Sequence, residues 1–196
     1  MTKWVTAVTC VVLATILTAS ADAISFNDPL SHRQFYHDQM RFADAWGRII
    51  GQDRRGKVTV AVLDSGFQTD HPDLNPNLMR GINIVDNSID IRPVHPHGTA
   101  TSGILGARSG NGNGISQSAL TANVFPIRIS NQADGAAHVS DIARGIRFAA
   151  NNGARVINIS YGGVDNRHIA RAAKYAYRKG SLVFMAAGNS GFRTNW

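Results

Sequence analysis

Glutamate is missing from this 196-residue chain: all 13 acidic residues are aspartates, so any carboxylate chemistry falls to aspartate. Cysteine is nearly missing too, since the single one, Cys10, sits in an apolar run near the amino terminus. A chain that loses this segment cannot form a disulfide, and must hold itself by packing or by bound ions. The longest apolar run, Val5 to Leu17, is short for a stable membrane span. Blocks of like charge are absent as well. The 20 Lys and Arg behind a net charge of +7 are scattered, and only Asp53-Arg54-Arg55 is densely charged. That pattern argues against nucleic-acid binding and for a generally basic, solvated surface.

At 43% hydrophobic residues the chain is too apolar for disorder and long enough for one domain with a sizeable core. "MTKWVTAVTCVVLATILTASADA" places one lysine ahead of the apolar run and two small-x-small sites behind it. Residues 1–23 therefore read as a secretory signal peptide, cut after Ala21 or Ala23, with a retained anchor as the alternative. The mature product, residues 24–196, is expected to be secreted, with no stable membrane association after cleavage.

The remainder alternates between two periodicities. "KVTVAVLD", "ANVFPIRI", "ARVINIS" and "SLVFMAA" are β-branched or apolar runs suited to strands buried on both faces. Between them Val139, Ile142, Ala143, Ile146 and Ala149 share one helical face, as do Ile169, Ala172, Ala173 and Ala176, with Gly180 placed to end the second helix. This alternation predicts an α/β fold: a doubly wound parallel sheet with helices on both faces. In that architecture sites form beyond the carboxyl ends of the strands.

Four strand or helix ends carry chemistry. Asp64 closes "VAVLDSG", His97 opens the small-residue helix "HGTATSGILGA", "VINIS" runs into Tyr161-Gly162-Gly163, and "LVFMAA" runs into Gly188-Asn189. Taken singly, each has an ordinary reading: a turn or cap aspartate, a partly exposed histidine, a Gly-rich turn.

Taken together and in order, "VAVLDSGFQTDHPDL", "HGTATSGILGA", "INISYGG" and "AAGNSG" resemble the subtilisin-like serine proteases, the subtilases. The segment "NDPLSHRQFYHDQMRFADAWG" is similar to the family's lead-in to its first core strand, so the likeness covers about residues 26–192. The resemblance implies a serine-type endopeptidase acting on polypeptides. His97 would be the general base, Asp64 its orienting carboxylate and Asn189 the side-chain donor to the oxyanion. Ser160, Tyr161 and Gly162 would form the strand that pairs with an extended substrate, opposite a wall near Gly135 to Ala137. Such pairing suits broad cleavage by a monomer, and the chemistry requires no cofactor.

The likeness also assigns Asp73, in "HPDL", to a structural calcium, helped by carbonyls of "RSGNGNGISQSA", a loop without a carboxylate of its own. The bland reading is a turn aspartate. His95 and His97 could also form a metal pair with Asp64, making a metallohydrolase.

Two departures from the family pattern stand out. No serine present fits the nucleophile: Ser65 adjoins Asp64, Ser160 belongs to the substrate strand, and Ser190 follows Asn189 in one turn. The family's "GTS" motif is expected well past residue 196, so the chain alone is predicted to be inactive. It reads as a fragment of a catalytic domain incomplete at its carboxyl end, with a non-catalytic peptide-binding pseudoprotease as the alternative. No prodomain separates the signal site from "NDPL".

Overall fold

The computed structural model describes residues 26–50, 57–162, 166–189 and 191. The predicted signal peptide and Ser190 lie outside the described residues.

Five parallel strands form one sheet in the order β2-β3-β1-β4-β5. β1 (Val58–Asp64) lies at its centre, in register with β3 (Ala122–Arg128) from Val58↔Ala122 to Asp64↔Arg128. On its other side β1 pairs β4 (Val156–Ile159), which pairs β5 (Leu182–Met185); the short β2 (Ile82–Asn83) flanks β3. Parallel pairing needs long crossovers, and these are the helices that the apolar periodicity predicted.

Because side chains alternate across a strand, β1 feeds two cores. Ala61 and Leu63 join Ile127, Ile146, Ile157 and Ile169 on one face, beneath α4 (Val139–Asn151) and α5 (Arg167–Arg178). Val62 joins Phe67, Ile91 and Val124 on the other, with Leu105 of α3 (His97–Gly106) packed against them. Leu63, Ile127, Ile146 and Ile157 are wholly buried, each contributing about 1.5–3 kcal/mol relative to exposure. α5 is capped at its start and turned off at its end by local residues. The Asn166 side chain accepts from the His168 amide at α5's start, and Gly180 turns the chain after it at φ +86°.

α3 is built differently. Its buried residues are Gly98, Ser102, Gly103 and Gly106, so the helix approaches the sheet through backbone rather than through large side chains. A Cβ at Gly106 would meet Val124 Cγ2 at 2.5 Å.

Two features depart from the sequence reading. The lead-in folds into α1 (Tyr36–Gln39) and α2 (Phe42–Ile50), where Trp46 stacks on Phe42, meets His37 edge-on, and donates from Nε1 to the Ser118 carbonyl at 3.0 Å. β5, read from its apolar run as buried, is instead an edge strand with Leu182 51%, Phe184 55% and Met185 40% exposed. Helices thus lie on both faces of the sheet as expected, α4 and α5 on one and α3 over β1 and β3 on the other, where no described helix covers β5.

Candidate functional site

Asp64 is the last residue of β1 and is completely buried. Its Oδ1 accepts from the Ser65 amide at 2.7 Å and from the Ser65 hydroxyl at 3.1 Å, which fixes the carboxylate in one orientation. His97, the first residue of α3, brings Nδ1 to within 2.9 Å of Oδ1 and 3.0 Å of Oδ2. A buried carboxylate held on Nδ1 keeps the proton there, so the neutral ring presents Nε2 as the basic atom. Nε2 has no hydrogen-bond partner among the described residues, and the His97 side chain is 45% exposed.

Glycine makes this approach feasible. Gly98 has no room for a side chain, because a Cβ there would collide with the Gly66 carbonyl oxygen and lie 3.0 Å from Asp64 Cβ. Gly66 adopts φ +107°, and a Cβ there would sit 2.5 Å from the Arg92 carbonyl oxygen. The loop leading to His97 is held from beneath by Arg128, whose Nη1 donates to the Arg92 carbonyl at 2.9 Å and whose Nε donates to the Ser130 carbonyl at 2.8 Å. Arg128 is β1's register partner at Asp64 itself, a positioning role the sequence reading missed.

Ser160, Tyr161 and Gly162 continue from β4 along the rim. The Tyr161 ring meets His97 edge-on at 6.3 Å, and its hydroxyl donates to the Gly135 carbonyl at 2.7 Å. The rim of β4 and the segment near Gly135 to Ala137 are thus tied together across a cleft. Burial, followed by the Asp64 and Asp134 carboxylates, pushes the Tyr161 phenol well above its ordinary pKa, so it remains a donor. Between the walls lies a cleft of about 290 Å³ lined by Ser65, His95, His97, Asp134, Gly135 and Tyr161 among others. A second groove of about 530 Å³ runs from His97 and Ser160 over Val156, Asn158 and Phe184 to Ile104, along the uncovered face of the sheet.

Asn189 lies beyond β5, exposed and one residue past Gly188, which turns at φ +94°. Gly188 Cα is 3.4 Å from where a Cβ on Gly162 would stand, so the chain leading to Asn189 meets the β4 rim. The Asn189 side chain has no hydrogen-bond partner among the described residues. Ser65 is committed to Asp64 and to the His95 carbonyl.

Asp73 is 3% exposed, away from the His97 cleft. Its Oδ1 accepts from Asn111 Nδ2 at 2.9 Å and its Oδ2 from the Ile115 amide at 3.0 Å, and Gly114 gives it room on the same loop. The loop does meet a second carboxylate, contrary to expectation: Asp28, from the lead-in, accepts from the Gly110 and Asn111 amides and from Ser116 Oγ. The signal was present in "NDPL", but a contact across 82 to 88 residues is invisible to local reading. Carboxylate oxygens are the ligand type that suits calcium, but here those of Asp73 and Asp28 accept from N–H and O–H donors of the loop. Among the described residues no three of His, Cys, Asp or Glu converge as metal ligands. His95, 6.4 Å from His97 ring to ring, instead accepts the His97 amide on its own Nδ1.

Comparison with known proteins agrees with this geometry. Residues 55–195 match the family model described as "Subtilase family". The chain is similar to thermitase from Thermoactinomyces vulgaris, 36% identical over 84% of the chain and 58% of that protein. It is also similar to a thermophilic serine proteinase from Bacillus sp. (strain AK1), 35% identical over 87% of the chain and 42% of that protein. Among solved structures, a protease from Pseudoalteromonas arctica PAMC 21717 superposes with a TM-score of 0.73 and 28% identity, over 85% of this chain and 60% of that one. The chain thus spans roughly two fifths to three fifths of the proteins it matches.

Proposed function

Because the chain belongs to the subtilase family, we propose that it supplies the base, its orienting carboxylate and the oxyanion donor of a secreted, monomeric serine endopeptidase. The hydrogen bond of His97 Nδ1 to buried Asp64 carries this reading. His97 Nε2 takes the proton of a serine hydroxyl as that oxygen attacks the scissile carbonyl, and later returns it to the leaving amine. Asp64 holds the tautomer and stabilises the imidazolium. Asn189 donates to the oxyanion without adding a charge. The substrate lies extended between Ser160–Gly162 and the Gly135 wall.

The serine is proposed to reside on polypeptide following residue 196, packed in the groove that runs from His97 over Val156 and Phe184. The groove's apolar floor and its opening onto His97 support this. The 196-residue chain by itself is then inactive. Asp73, with Asp28 and carbonyls of the 108–116 loop, is proposed to hold a structural calcium; the ion would tie the lead-in to the loop behind α3 and take no part in bond cleavage.

The test is to read the coding sequence beyond Trp196 and express the extended protein. Labelling of a downstream serine by a fluorophosphonate, lost in His97→Ala and unaffected by brief chelation, is the expected result. A stop codon at that point, with peptide affinity and no labelling, would favour the pseudoprotease, and chelator-sensitive turnover at an intact fold a metallohydrolase.

A further inference from the structure

The basic residues that look scattered in the sequence are gathered in space by α5. Arg167, Arg171, Lys174 and Arg178 follow one another at spacings of four, three and four, and all four are exposed. At 3.6 residues per turn these spacings place them on one narrow stripe about 16 Å long. Ile169, Ala172 and Ala176 bury the opposite side against the sheet, so the stripe points straight outward. Two more cations flank it, Arg147 of α4 at 4.8 Å and Lys179 at 5.8 Å from the Tyr175 ring centre. None of the six is ion-paired with a described acid. Within α5 there is no acid at all.

Like charges three and four residues apart on a helix repel and destabilise it. Acids on the same face would relieve that repulsion within the fold, and none is present there among the described residues. An external polyanion relieves it instead. We propose that this stripe is a binding site for a linear acidic polysaccharide, its carboxylate or sulfate groups paired with the guanidinium forks.

Three observations favour that class over other polyanions. The stripe is one row wide, which suits a single chain of charges. The apolar side of α5 is buried in the fold, so Tyr177 is the one large side chain the helix could offer a bilayer, too little for an inserted apolar face. Tyr175 has its ring engaged by Arg147 and Lys179 and its hydroxyl bound to Asn151 Oδ1 at 2.7 Å, which leaves Tyr177, 70% exposed, as the one open tyrosine on α5; a single face suits one sugar ring, whereas successive stacked bases need a row of them.

The experiment titrates the 196-residue chain with a heparin dodecasaccharide by calorimetry, alongside a single-stranded thymidine 20-mer and phosphatidylserine vesicles. The expected result is saturable binding to the saccharide that weakens steeply with salt, and weaker binding to the other two. Arg171→Gln with Lys174→Gln should lower saccharide affinity at least tenfold while the melting temperature holds or rises, since repulsion is relieved. Arg33→Gln with Arg80→Gln, which removes the same charge from exposed positions elsewhere, should change affinity little. Equal losses in the two double variants would reduce the effect to net charge and overturn the proposal. Unchanged affinity in the stripe variant, or tighter binding to the oligonucleotide or the vesicles, would overturn it as well. None of these readouts depends on peptidase activity.

Discussion

His97 and Asp64 meet at the carboxyl edge of the sheet, with Nδ1 of one 2.9 and 3.0 Å from the two carboxylate oxygens of the other. Asp64 is wholly buried while the His97 ring is 45% exposed, so one member of the pair is locked and the other is presented to the cleft. In the proposed peptidase, Asp64→Asn would place an amide donor opposite Nδ1 and favour the wrong tautomer. Turnover should fall on the order of 10⁴-fold with little change in melting temperature, as expected when such a triad loses its orienting carboxylate. Steady-state kinetics and thermal melts of the same preparation check both halves of the prediction.

The geometry of that pair depends on a residue that has no side chain. Gly98→Ala would drive a methyl group into the Gly66 carbonyl and against Asp64 Cβ, both part of the rigid turn after β1. A loss of about 1–3 kcal/mol is expected from such overpacking. Gly103→Ala in the same helix is the control. Its methyl group would first meet Ile115 Cδ1 at an ordinary 3.6 Å, and exchanging glycine for alanine within a helix gains up to about 1 kcal/mol. Denaturant melts of the two variants should move in opposite directions.

How much of this was legible in the sequence depends on the range of the interaction. Asp64, His97 and the rim at Ser160 to Gly162 stand at element ends, and each end is marked by residues within a few positions: a β-branched run, a small-residue helix, a glycine pair. A parallel sheet puts those ends on one edge, which is why they could be grouped as one candidate site from the sequence. Asp28 on the 108–116 loop, Arg128 beneath the Arg92 carbonyl and Tyr161 on the Gly135 carbonyl are contacts between distant segments, and no local pattern announces them. α1 and α2 were missed because they are short and held by ring packing around Trp46, without a long apolar stripe of their own. β5 misled for the opposite reason. Its composition suits a buried strand, but burial depends on what covers it.

Tyr161 ties the two cleft walls through its hydroxyl, 2.7 Å from the Gly135 carbonyl. Tyr161→Phe keeps the ring beside His97 and removes only that tie. A loss of about 0.5–1.5 kcal/mol of stability is expected from one such hydrogen bond. Because the Gly135 wall is proposed to pair with substrate, KM should rise while kcat stays within about twofold. A fall in kcat at unchanged KM would instead assign the hydroxyl to the chemical step.

His37 makes the docking of the lead-in sensitive to acid. Its ring meets those of Phe42 and Trp46, Nε2 lies 3.3 Å from Ser118 Oγ, and burial lowers its pKa from the ordinary 6.5, outweighing the nearby Asp38 charge. A histidine with a lowered folded pKa binds its proton more readily in the unfolded chain. Its contribution is therefore fully present above about pH 6.5, is lost as pH falls below that value, and levels off once the folded pKa is passed. The melting temperature should drop between about pH 7.5 and pH 5, and His37→Phe should remove this component of the drop. An identical profile in both proteins would place the acid sensitivity elsewhere.

Asp73 offers the sharpest separation between a turn aspartate and a metal ligand. Both of its oxygens accept from N–H groups of the 108–116 loop, and Asp28 grips the same loop from the lead-in, so the two carboxylates lie against one loop. If calcium binds there, a hundredfold excess over Kd adds about 2.7 kcal/mol, which in a domain of this size raises the melting temperature by roughly 5 to 10 °C. Chelation should abolish that increment. Asp73→Asn should lose the response to calcium and also some stability in its absence, because the weaker acceptor still faces the Ile115 amide. Arg108→Gln alters the loop's side-chain charge while leaving both carboxylates in place, and should keep the response. Melting temperatures of all three proteins that ignore calcium and chelator alike would leave Asp73 as a loop-fastening residue held by hydrogen bonds alone.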